Sequence, residues 1–98
     1  KPIINVVRGQ LRLMGAARSF QRGLNRVLAV VEQLGPLEQL AVIHTRRQEM
    51  AEAVADRLAE RTGFSRERIW VRETGPALSS HAGVGVIGVL TVPMPQTV

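Results

Sequence analysis

The apolar positions of this 98-residue chain change their period several times, and each change marks a structural boundary. Residues 3–7 and 10–14 are short runs of branched or alternating apolar residues on either side of Arg8-Gly9, a pattern that predicts a hairpin or a tightly turned strand pair. Ser19 suits a helix N-cap. From there Phe20, Leu24, Val27, Leu28, Val31 and Leu34 recur at helical spacing until Gly35-Pro36 closes the run. This stripe predicts a first helix laid on a sheet.

The compact apolar run 40–44 ends in polar residues and reads as a buried strand. Thr45-Arg46-Arg47-Gln48 fits a capping box, in which the threonine oxygen takes an orphan N–H and the glutamine reaches back to the cap. Met50, Val54 and Leu58 then share one face of a second helix, with Gly63 as its stop. A strand over 68–72 is centred on Ile69, Trp70 and Val71, and Gly75-Pro76 can open a short helical turn because proline needs no N–H partner there. Residues 84–92 are too rich in valine for a loop and too rich in glycine for a good helix, so they predict a last strand. Pro93 and Pro95 end it, and the tail to Val98 is expected to be mobile. The expected fold is α/β of the α+β kind: a mixed β-sheet of about five strands with two main helices and one short helical turn packed on it. No repeat or low-complexity linker interrupts the chain.

The length suits a single domain over 1–98, burying about two thirds of the surface its unfolded chain exposes, enough for a core but not for a large enclosed cavity. Because the sequence opens at Lys1, directly on a strand-like segment, a fragment or processed product is expected. The absence of cysteine excludes disulfides, thiolate metal sites and cysteine nucleophiles. No apolar run approaches the roughly 20 residues of a membrane span and no signal peptide is visible, so a cytoplasmic protein is the default expectation.

The net charge is +5, and every basic residue except Lys1 is arginine. Arg8, Arg12, Arg18, Arg22 and Arg26 lie in a stretch with no acid. Such a stretch is either a solvated basic face or a docking face for an acidic partner or an anionic head group. Nucleic acid is not expected, because Phe20, Phe64 and Trp70 are the only aromatic residues and base stacking needs a platform.

Gly83-x-Gly85-x-x-Gly88 matches the dinucleotide pattern G-x-G-x-x-G in spelling only. That site needs a strand before the glycines, a helix starting within them, and an acid about 20 residues on. Here the strand follows the glycines, which instead let the backbone bend or approach a neighbour closely. His81, preceded by Ser79 and Ser80, is either a structural hydrogen-bonding residue or a ligand for an anion. His44 reads as a histidine bonded to a nearby backbone group. Neither histidine has further ligands at metal spacing, so no metal site is expected. Ser80 beside His81 does not make a triad, since the one aspartate, Asp56, lies on the second helix and there is no nucleophile elbow.

The segment Thr74-Gly75-Pro76-Ala77-Leu78-Ser79-Ser80-His81-Ala82-Gly83-Val84-Gly85, running into the apolar residues 86–92, resembles the C-terminal signature of the DegV family of bacterial fatty-acid-binding proteins. Lys1-Pro2-Ile3-Ile4 through Gly9 is similar to the strand that opens that family's second domain. Arg18-Ser19 with Arg22 and Leu24 is similar to its Val-Arg-Thr and basic helix start, and 40–44 stands where it has a central strand. Val84 replaces the usual proline and Ser19 the usual threonine.

The resemblance implies the C-terminal domain of a two-domain protein with the EDD fold, its N-terminal domain absent. It also implies no cofactor and no catalytic residue: a carrier holds a long-chain fatty acid between its domains and presents the carboxylate to a separate fatty acid kinase. His81 would hold the carboxylate with Ser80 beside it, Gly83 and Gly85 would shape the turn, and Arg18 would face the kinase or the nascent phosphate. Ile87, Val89 and the first helix would line one side of the tunnel. The expected partners are the fatty acid, the kinase and the missing domain, and the isolated domain is expected to self-associate. The rival reading is a small basic α/β module that binds RNA or an acidic protein through the face from Arg8 to Arg26.

Overall fold

The structure is a computed structural model that describes residues 3–6, 9–13, 20–73 and 86–95. In chain order its elements are β1 (Ile3–Val6), β2 (Gly9–Leu13), α1 (Phe20–Gln33), β3 (Leu37–His44), α2 (Gln48–Thr62), a single 3-10 turn (Arg66–Arg68), β4 (Trp70–Glu73) and β5 (Ile87–Pro93). Five strands form one sheet in the order β1-β2-β5-β3-β4. Every neighbouring pair is antiparallel except β3 and β4, which run parallel. A parallel pair cannot be closed by a tight turn and needs a crossover, which α2 supplies. The fold is the expected α+β mixed sheet with two main helices.

The helices share one face of the sheet. Leu24, Leu28 and Val31 of α1 are buried against Val54, Ala55 and Leu58 of α2 and against Leu40, Val42, Ile87 and Val89 of the sheet. The spacing of three and four in each helix puts these residues on one stripe. Ala51 and Ala55, both without exposure, keep the buried stripe of α2 thin. Gly63 ends α2 in the left-handed conformation (φ 77°), its N–H bonded to the Ala59 carbonyl at 3.0 Å, an arrangement that glycine adopts at little steric cost.

Two boundaries differ from the periodicity. β3 begins at Leu37, three residues before the apolar run, because Glu38 and Gln39 continue the strand through a register irregularity opposite Val92 and Pro93. β4 begins at Trp70, after a 3-10 turn that the pattern does not predict. That turn is held by Arg66, whose guanidinium bonds Asp56 at 2.7 Å and also pairs with Glu52, both on α2. The expected cap at Ser19, the helical turn at Gly75-Pro76 and the tail 96–98 lie outside the described residues.

Candidate functional site

One edge of the sheet gathers the ends of four strands. His44, the last residue of β3, stands opposite Glu73, the last of β4, and opposite Ile87, the first of β5. One step back, Ile43 pairs with Gly88, which pairs with Leu13, the last residue of β2. Leu13, which precedes 14–19, and Glu73 and Val86, which flank 74–85, therefore stand at this edge. Arg18, Ser80, His81, Gly83 and Gly85 themselves lie outside the described residues.

Three consecutive residues at the end of β3 each bond a different element. The His44 ring, 1% exposed, accepts the Arg47 N–H at Nδ1 at 3.0 Å. With Nδ1 an acceptor, Nε2 carries the proton of the neutral ring and donates to Gln48 Oε1 at 3.2 Å. Thr45 exchanges two bonds with Val86: its N–H donates to the Val86 carbonyl at 3.0 Å, and its Oγ1 accepts the Val86 N–H at 3.0 Å. Arg46 takes a left-handed turn (φ 56°), rare for a residue with a side chain, and its N–H donates to Glu73 Oε2 at 3.1 Å. The end of β3 thus ties down the head of α2, the start of β5 and the end of β4.

This corner confirms His44 as backbone-bonded and corrects the expected capping box. Arg47 is the residue that caps α2, and it makes no side-chain cap bond. Thr45 stands two residues too early, its hydroxyl taken by Val86 across the sheet. Gln48 does not reach back to a cap; its Nε2 donates to Glu52 Oε2 at 2.7 Å. Glu52 in turn pairs with Arg66, so a hydrogen-bonded chain runs from His44 along α2 to the 3-10 turn. The hydrogen bond to Asp56, and after it the pairing with Glu52, outweigh the opposing effect of burial and hold the Arg66 proton more tightly than usual.

Among the arginines, Arg12 is half-buried, with Nη2 donating to Gln10 Oε1 at 2.7 Å, whereas Arg22 and Arg26 are exposed on α1. Arg46 and Arg47 are exposed at the corner. Arg72 lies over the Trp70 ring at 4.8 Å.

The sheet face opposite the helices carries Ala41, Ile43, Leu90 and Val92, all half-buried, and Trp70, which is 60% exposed. Across the strands Leu90, Ala41 and Trp70 form one row. No described helix covers it. A groove of about 640 Å³ runs past Trp70, Ala41 and Leu90 to Phe64 and Arg68. Ile87 and Val89 point the other way, into the core beneath the helices, and are 3% and 0% exposed. The expectation that they line a tunnel is thereby corrected: period 2 in β5 assigns that face to Leu90 and Val92.

Sequence reasoning missed Thr45 as a joint because its partner is 41 residues away. The available signal was a hydroxyl residue directly after a buried strand, which fits a cap and a cross-strand bond equally well. Among the described residues no cluster of His, Asp and Glu could hold a metal, and no helix is long and apolar enough to cross a membrane.

The family model DegV, described as an uncharacterised protein of the DegV family, matches residues 1–94. This chain belongs to the DegV family. No curated protein matches the sequence. The fold is similar to the crystal structure of a fatty acid binding DegV family protein from Streptococcus agalactiae, with a TM-score of 0.65 and 25% identity. The match covers 76% of this chain and 26% of that one, so the chain corresponds to about a quarter of the relative's length.

Proposed function

We propose that this chain is the head-group domain of a lipid carrier that binds a fatty acid. The observation that carries the reading is the shared edge: Leu13, which precedes 14–19, and both flanks of 74–85, the segment that holds Ser80, His81, Gly83 and Gly85, stand at the end of the sheet where β3 finishes. A related structure is that of a fatty acid binding protein.

The chemistry suits a carboxylate. Burying that anion among apolar groups without donors is costly, so a site for it must supply N–H and O–H groups. His81 donates one ring N–H, Ser80 adds a hydroxyl, and Gly83 and Gly85 let backbone N–H groups approach the anion. Arg18 presents a planar fork to a phosphate, the geometry wanted where a bound carboxylate is phosphorylated. The half-buried apolar row of Ala41, Ile43, Leu90 and Val92 is surface of the kind an acyl chain or an apolar domain face covers.

In this reading the protein is a cytoplasmic carrier and not an enzyme. A second domain of the same protein completes the tunnel, and a separate fatty acid kinase acts on the presented carboxylate.

The test is titration of the intact protein with a fluorescent fatty acid, and separately with an RNA oligonucleotide, at low and high salt. Saturable one-site lipid binding that changes little with salt is expected. Absence of lipid saturation, with RNA affinity that falls steeply as salt rises, would favour the basic-module reading, because phosphate contacts release counterions.

A further inference from the structure

We propose that Thr45 is a positioning residue for the lipid site, an inference that rests on the head-group reading above. In a regular antiparallel ladder the Val86 N–H would bond the backbone carbonyl of the residue opposite. Here the backbone leaves the sheet at Arg46, whose φ is 56°, and the Thr45 hydroxyl takes the carbonyl's place at 3.0 Å. The reciprocal bond from the Thr45 N–H to the Val86 carbonyl is intact at 3.0 Å. One residue thus grips both polar groups of the first described residue after 74–85, while its neighbour Arg46 bonds Glu73, the last described residue before that segment. Both ends of the stretch that holds Ser80 and His81 are tied to two adjacent residues that directly follow β3.

Burial makes the hydroxyl matter. Thr45 is 2% exposed and Val86 is fully buried, so water has little access to an N–H left without its acceptor. Valine at position 45 preserves shape and β-branching and removes the hydroxyl, the acceptor of the Val86 N–H together with its own O–H donor. Serine keeps the acceptor and removes a methyl group. The pair of substitutions therefore separates the hydrogen bond from packing. If the bond sets where β5 begins, losing it displaces the segment immediately before Val86, and binding of a carboxylate by positioned donors is sensitive to displacements of about an ångström.

The experiment compares Thr45→Val, Thr45→Ser and His81→Ala in the intact protein, with two readouts. The first is residue-resolved amide hydrogen exchange without ligand. In Thr45→Val, exchange at Val86 is expected to accelerate by roughly tenfold or more, while the buried amides of α1 and α2 stay protected and so report an intact fold. Thr45→Ser is expected to restore wild-type exchange.

The second readout is affinity for a fluorescent fatty acid. Thr45→Val is expected to bind about tenfold more weakly, with recovery in Thr45→Ser. Unchanged exchange at Val86 in Thr45→Val overturns the proposal. So does unchanged lipid affinity in Thr45→Val where His81→Ala binds more weakly, and in that case the head-group reading stands. If His81→Ala leaves affinity unchanged, the head-group reading falls, and the exchange arm still decides whether Thr45 holds the start of β5.

Discussion

The Nδ1 atom of His44 accepts the Arg47 N–H at 3.0 Å, so an imidazole from the end of β3 satisfies a donor at the head of α2. The ring is 1% exposed, and its removal would leave both a void and a part-buried N–H without its acceptor. His44→Ala is expected to destabilise the fold by about 2–4 kcal/mol, from the cavity and the orphaned donor together. His44→Phe keeps the volume, loses the acceptor, and is expected to be destabilised as well. Urea unfolding measures both; a loss under about 0.5 kcal/mol in either variant would contradict the role given to Nδ1.

Glu32 of α1 and Arg61 of α2 form a two-pronged pair, with Nη2 to Oε1 at 2.7 Å and Nε to Oε2 at 3.2 Å. The Arg61 hydrogen bond holds the Glu32 carboxyl below its ordinary range. A depressed carboxylate contributes stability above its unfolded pKa and loses it as the pH falls through the folded one. The pair is exposed, so the contribution is small and salt-sensitive. Calorimetric scans of Glu32→Gln should show a Tm about 1–4 °C below wild type at neutral pH and low salt. The gap should shrink in high salt and close in acid, where both proteins carry an uncharged residue at this position. A gap that persists in acid would mean that the effect is not the ion pair.

Gly9 of β2 lies tightly against β5. A Cβ at this position would stand 2.8 Å from the Thr91 carbonyl oxygen and 3.0 Å from Val92 Cγ2. The first neighbour is backbone and cannot rotate away. Gly9→Ala is therefore expected to cost about 1–3 kcal/mol by overpacking, measured by the shift of the urea midpoint. A neutral result would show that the hairpin slides relative to β5 at little cost.

The periodicity of α1 and α2 made the core legible, because Leu24, Leu28, Val31, Val54 and Leu58 answer to spacing alone. Strand limits were less so. Glu38 and Gln39 hide the first residues of β3 since one side of the sheet there is open, and Ile69 is buried just before β4 while Trp70 within it is exposed. The 3-10 turn depends on Arg66 meeting Glu52 and Asp56, a contact between distant positions that no local pattern encodes. The role of Thr45 was hidden for the same reason: its hydroxyl suited a local cap as well as the distant Val86 N–H that it accepts. The run from Ser80 to Gly85 was legible as a motif, and the structure adds the strand ends that flank 74–85.

The uncovered face of the sheet bears on association. Trp70 is 60% exposed on the edge strand β4, and Met94 is 52% exposed after β5. Soluble monomers rarely leave a wide apolar face bare, and an open strand edge pairs readily. Residues 1–98 expressed by themselves are expected to self-associate, with an apparent mass that rises with concentration in light scattering. Trp70→Lys should lower that mass by adding a charge to the face and the edge. A monomer at every concentration would show that the apolar row needs no cover.

The central claim is that His81 holds a fatty-acid carboxylate, and the lipid retained by the protein itself tests it best. Wild-type intact protein and His81→Ala are purified from the same cells under the same conditions, extracted with organic solvent, and assayed for fatty acid by mass spectrometry. The account predicts a stoichiometric fatty acid from the wild type and at least about a tenfold lower yield from His81→Ala, the loss expected when a buried charged group forfeits a hydrogen bond. No fatty acid in the wild type, or equal amounts in both proteins, would contradict it.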